Sequence, residues 1–129
     1  MDTHEEKGLF QKEGYALMGA AFEVYNELGG GLLEEIYQES LERELTHLGI
    51  EFAAKVELRV FYKGNELKKR YVPDLVVCWG IMVELKAVRE LAPEHEAQLL
   101  NYMRITKSRV GYLINFGPIG KLEWKRFVI

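Results

Sequence analysis

The stretch that most constrains the fold runs from Pro73 to Lys86 and reads PDLVVCWGIMVELK. Two short runs rich in Val, Ile and Leu are bounded by Pro73 and split by Trp79-Gly80. That is the pattern of two buried strands joined by a tight turn. Asp74 opens the first run, Glu84 stands near the end of the second, and Lys86 follows two residues later. Side chains alternate in direction along a strand, so Glu84 and Lys86 share one face while Leu85 takes the other.

Register decides whether Asp74 joins them. A two-residue turn at Trp79-Gly80 opposes Asp74 to Leu85 and separates the acids, whereas a three-residue loop, Cys78-Trp79-Gly80, opposes Asp74 to Glu84 directly. The longer loop ends on a left-handed residue, which suits glycine. The expectation is therefore that Asp74, Glu84 and Lys86 converge on one face, with Gly80 at positive φ. Two carboxylates roughly 5 Å apart at Cβ repel unless something positive lies between them. A divalent cation on oxygen ligands meets that need, with Lys86 beside it. On this view Asp74→Asn leaves the metal-free protein at least as stable, because it removes a contact of like charges. A Glu-x-Lys tripeptide alone is commonly a solvated surface pair; here it follows a Pro-Asp and ends an apolar strand, where charge needs a reason.

With 129 residues, 48% of them hydrophobic and 29% charged, the chain reads as one soluble globular domain, 1–129, large enough for a core. No apolar run approaches a membrane span and MDTHEEKG lacks signal-peptide character, so no membrane association and a cytoplasmic location are expected. A single cysteine excludes an internal disulfide and a multi-cysteine zinc site. The net charge of −3 supplies no general pull on nucleic acid, although a bound metal or a basic cluster acts locally.

Residues 1 to about 9 are polar and expected to be flexible. Leu17, Ala21, Val24 and Leu28 recur at helical spacing over Gln11–Leu28, and Gly29-Gly30-Gly31 then connects to a second helix from about Leu32 to Leu48. No Gly-Lys-Ser/Thr follows the three glycines, which argues against a phosphate loop. The second helix ends at Gly49 and presents Tyr37, Leu41, Leu45 and Leu48 as its buried stripe. Glu34 lies one turn before Tyr37 on that stripe. It is either a first-turn acid complementing the helix dipole or a third acid of the site.

Strands are expected over about Val56–Tyr62, where apolar and polar residues alternate, and about Leu67–Val77. The run Lys68-Lys69-Arg70 leads toward the acids, as a solvated edge or a phosphate contact. Pro93 opens a helix with Leu99, Met103 and Thr106 along one line and His95, Gln98 and Tyr102 along another. Strands at about Val110–Phe116 and Leu122–Val128 close the chain, with Trp124 and Phe127 as core or interface residues. The strand-helix-strand step after Lys86 implies a crossover, hence an α/β fold whose mixed sheet is covered by helices.

Pro73-Asp74 followed by Glu84-Leu85-Lys86 resembles the PD-(D/E)XK nuclease superfamily. Gly31-Leu32-Leu33-Glu34-Glu35-Ile36-Tyr37 is similar to the signature that gives the GxxExxY protein family its name, and the similarity runs from about Ala20 to the C-terminus. The resemblance implies a restriction-endonuclease-like three-layer fold and metal-dependent hydrolysis of phosphodiester bonds in DNA or RNA, with Mg²⁺ as cofactor and Mn²⁺ as its substitute. It implies that Asp74 and Glu84 hold the metal together with the backbone carbonyl of Leu85, and that Glu34 completes or orients that shell. Lys86 would hold the attacking water or offset charge at the scissile phosphate. Gln98 and Tyr102 form a QxxxY similar to a feature of RecB-type members and would position the strand; His95 either touches substrate or is a surface histidine. The alternatives are a catalytically silent module binding nucleic acid or a protein partner, and a structural ion cluster. The intact Asp74, Glu84 and Lys86 favour the enzyme, and a homo-oligomer is left open.

Overall fold

Residues 8–129 are described by a computed structural model. The flexibility expected of residues 1–9 falls, for residues 1–7, outside the described residues. The elements are α1 (Gln11–Leu28), α2 (Glu34–His47), β1 (Phe52–Ala54), β2 (Phe61–Tyr62), β3 (Asn65–Glu66), β4 (Leu75–Val77), β5 (Ile81–Lys86), α3 (Pro93–Thr106), β6 (Val110–Asn115) and β7 (Glu123–Val128). Five strands form one sheet in the order β1-β4-β5-β6-β7, in which β5 and β6 are parallel and the other neighbours antiparallel. The parallel step is the one that α3 spans, as a crossover requires.

Both faces of the sheet are covered. Leu75, Val77, Ile81, Val83 and Leu85 pack against Leu17, Tyr37, Leu41 and Leu45 of α1 and α2. Val76, Met82 and Leu113 pack against Leu99 and Met103 of α3. The result is three layers, and the period-two alternation of β5 puts Glu84 and Lys86 on the α3 side. No described helix is long and apolar enough to cross a membrane.

The pairing of β4 with β5 runs Leu75↔Val83 and Val77↔Ile81, so Cys78-Trp79-Gly80 is a three-residue loop and the register, carried one residue further, opposes Asp74 to Glu84. Gly80 departs from expectation. The left-handed residues are Cys78 (φ 52) and Trp79 (φ 56), and Gly80 is not among them. Glycine is required there for space: a Cβ at Gly80 would lie 2.0 Å from Cζ of Phe10.

The expected strands Val56–Tyr62 and Leu67–Val77 are largely interrupted. Leu58 and Tyr71 exchange both backbone bonds (2.7 and 2.9 Å), but regular pairing resumes only at Ala54↔Leu75. An antiparallel ladder bonds alternate pairs, so the next bonded pair would be Val56 with Pro73, and proline has no N–H to donate. Lys55, at φ 54, turns the chain at the same place. Val56, Leu58 and Val60 still pack on the α3-side core, so the alternation survives where the ladder does not.

Leu48, expected in the α2 stripe, is 51% exposed. It caps the helix, and Gly49 (φ 71) turns the chain so that the Ile50 N–H bonds Leu45 O at 2.9 Å. Tyr37 is fully buried, stacks on Phe116 with centroids 4.6 Å apart, and donates its hydroxyl to Gly29 O at 2.6 Å. Together with Gly31 at φ 90, it fixes the glycine connection from which Glu34 projects.

Candidate active site

Asp74 is delivered by the break in the ladder. Its residue is 6% exposed and each carboxylate oxygen accepts one donor: Oδ2 the Leu85 N–H at 2.7 Å, and Oδ1 the ammonium of Lys55. The Asp74 carbonyl accepts the Lys55 N–H at 3.2 Å and Gln38 Nε2 at 3.0 Å. Glu84, half-buried across the strand pair, accepts the hydroxyl of Tyr71. Burial pushes its carboxyl from an ordinary 4.5 up to about 7; the Tyr71 hydroxyl works against this, and the Asp74 charge adds to it. The Tyr71 hydroxyl is raised in turn, by burial first and then by the Glu84 charge. Glu34 is likewise raised, by burial and then by Asp74, with Lys86 and Lys55 opposing. The three acids and two lysines therefore share one field.

Beside this pair lies a cleft of about 310 Å³ lined by Lys69, Arg70, Tyr71, Glu84, Lys86, His95, Gln98 and Tyr102 among others. One wall is the segment before β4 and the other is α3. They are joined by the parallel stack of Tyr71 on Tyr102, with centroids 3.7 Å apart. His95 Nδ1 accepts the Ala92 N–H at 3.0 Å and so caps α3, leaving Nε2 for the cleft. The loop after Lys86 is pinned by the fully buried Asn115, which accepts from Val88 N at 2.9 Å and donates to Val88 O (3.0 Å) and to Glu123 (2.9 Å).

A family model described as the PD-(D/E)XK nuclease superfamily matches residues 11–127. The chain belongs to that superfamily. Its mixed, helix-flanked sheet is that of a restriction-endonuclease-like PD-(D/E)XK fold. Among solved structures it is similar to one titled "Crystal structure of SSO0001", with a TM-score of 0.57 and 19% identity over 73% of this chain and 48% of that one. At that identity the likeness is one of fold, and this chain spans about half the length of that structure. No curated protein matches it significantly.

The sequence-predicted residues Glu84, Lys86, His95, Gln98 and Tyr102 line one cleft of this PD-(D/E)XK domain. Asp74, opposed to Glu84, and Glu34 do not themselves line that cleft, and the two are linked through their charges. No sequence pattern marks Lys55, Gln38 or Asn115, and Tyr71 is marked only by its place directly after Lys68-Lys69-Arg70. Among the described residues no group of three or more His, Cys, Asp or Glu side chains is placed to hold a metal ion. The donors present still fit a hard ion that keeps several waters and takes one or two carboxylates plus substrate phosphate. They are oxygen donors, and Gln38 Oε1, on the side chain that holds the Asp74 carbonyl, is buried without a partner.

One prediction follows from Glu84. Its proton affinity is higher folded than unfolded, so its contribution to stability is complete below about 4.5 and is lost as the pH rises through about 7. In EDTA, the wild type should lose about 1.4 kcal/mol per pH unit across that window relative to Glu84→Gln. Denaturant melts of both proteins check this. A difference that stays flat, or rises with pH, contradicts it.

Proposed function

We propose that this domain is a metal-dependent nuclease hydrolysing phosphodiester bonds in DNA or RNA, with Mg²⁺ as its cofactor and Mn²⁺ as a substitute. The observation that carries the reading is Glu84, opposed to the buried Asp74 and sharing a face of β5 with Lys86, in a cleft lined by basic and amide side chains. The similarity of Gly31–Tyr37 to the GxxExxY signature supports placement in that family.

Asp74, Glu84 and the Leu85 carbonyl would hold the metal, with Glu34 completing or orienting the shell. When bound, the ion polarises a phosphate oxygen and lowers the pKa of a coordinated water. Lys86 would hold the attacking water or offset charge growing on the scissile phosphate. Lys69 and Arg70 give the cleft a positive wall for the nucleic-acid backbone. Gln98 and the outer face of Tyr102 would position the strand, with His95 Nε2 within the same cleft.

The experiment is an incubation of the purified chain with single- and double-stranded DNA and RNA. We expect cleavage with Mg²⁺ or Mn²⁺, none in EDTA, and none from Glu84→Gln. Absence of cleavage on all four substrates with either metal overturns the enzyme. One observation favours that second outcome, a silent nucleic-acid or protein interaction module: an ammonium already occupies Asp74.

A further inference from the structure

Lys55 belongs to none of the motifs above, yet it is the residue most closely joined to Asp74. Carried one residue past Ala54↔Leu75, the β1–β4 register places Lys55 opposite Asp74, on the side away from Glu84. Its N–H bonds the Asp74 carbonyl and its ammonium bonds Oδ1 of the same residue. The left-handed backbone at Lys55 (φ 54) sets this geometry, so the two contacts fix the residue at both ends.

The buried carboxylate already carries one cation, on Oδ1. Oδ2 is committed to the Leu85 N–H and Oδ1 to Lys55, while the Asp74 side chain is only 8% exposed. Lys55 itself is 55% exposed, so its ammonium can withdraw into water along a flexible stem. Burial pulls its proton affinity down, and the Asp74 bond with the charges of Asp74, Glu34 and Glu84 more than offsets that. The ammonium thus bonds Asp74 and lies in the electrostatic field of Glu34 and Glu84.

We propose that Lys55 is a resident counter-ion for Asp74 that competes with the divalent metal and thereby sets its affinity. The inference rests on the metal-dependent reading of the site and adds its regulation. In the metal-free protein Lys55 holds the Asp74 side chain and carbonyl in place. A metal must displace it, because a monovalent and a divalent cation on one oxygen repel strongly. Lys55 is in this sense a positioning residue, acting through Asp74.

The probe is Mn²⁺ alone, titrated by calorimetry and by thermal melts without substrate. Lys55→Met keeps much of the stem and removes the charge. Lys55→Asn suits the left-handed backbone and is too short to reach, which guards against a folding defect in the first variant. Both should bind Mn²⁺ at least about tenfold more tightly than wild type, and Lys55→Arg should stay within about threefold of it. Both uncharged variants should also melt lower in EDTA and recover with Mn²⁺, which a merely structural lysine would not produce. Wild-type binding with equal or weaker affinity in both uncharged variants overturns the counter-ion and leaves the metal site standing. Indifference to Mn²⁺ in wild type and variants alike overturns both. Binding by the variants but not by wild type supports the counter-ion in its strongest form.

Discussion

Asp74→Asn should destabilise the metal-free protein by roughly 1–3 kcal/mol and abolish its response to divalent metal. The sequence suggested the opposite sign for the metal-free protein, from relief of the repulsion with Glu84. The structure reverses it, because Asp74 accepts two donors, the Lys55 ammonium and the Leu85 N–H. An asparagine has one carbonyl oxygen, so its NH₂ must face one of those donors. Lys55 can turn to solvent at modest cost, but the Leu85 N–H is buried and cannot. Relief of the Glu84 contact returns only part of the loss. For wild type, a hundredfold excess of metal over Kd adds about 2.7 kcal/mol, and the Asn variant should gain nothing. Melts in EDTA and across a Mn²⁺ titration measure both effects. An Asn variant as stable as wild type in EDTA would mean that repulsion outweighs the Lys55 and Leu85 bonds.

Lys86→Ala should slow cleavage by about 10²–10³-fold while leaving Mn²⁺ affinity within about threefold. Lys86 shares a face with Glu84 but holds neither carboxylate in the way Lys55 holds Asp74. Its charge is therefore available to the reacting phosphate or water, and its loss should appear in turnover more than in metal binding. Single-turnover cleavage beside a Mn²⁺ titration separates the two. Equal rates for wild type and variant, with contaminating nuclease excluded, would remove Lys86 from the chemistry.

The two lysines also mark what was readable in the sequence. Lys86 is joined to Glu84 by strand alternation and to Asp74 by one short loop, both local rules. The limits of α1 and α3 follow likewise from periodicity, the glycine run and Pro93. Lys55 lies 19 residues from its partner, across a ladder broken by Pro73. It adopts a left-handed backbone without the Gly or Asn that would announce one. Asn115 and Tyr71 reach Val88 and Glu84 through the fold, so neither partner shares a local pattern with them. Gly80 occupies the expected loop, but its constraint is space against Phe10, far off in sequence, and not a left-handed backbone.

Tyr71 carries a consequence of its own. Its ring lies on Tyr102 of the opposite wall, and its hydroxyl ends on Glu84 at the floor. Any motion that parts the walls must slide or break that stack and disturb the same hydroxyl. The hydroxyl is what restrains the proton affinity of Glu84. Cleft width and the charge of Glu84 thus meet at one hydroxyl: parting the walls withdraws a donor that favours the ionised acid.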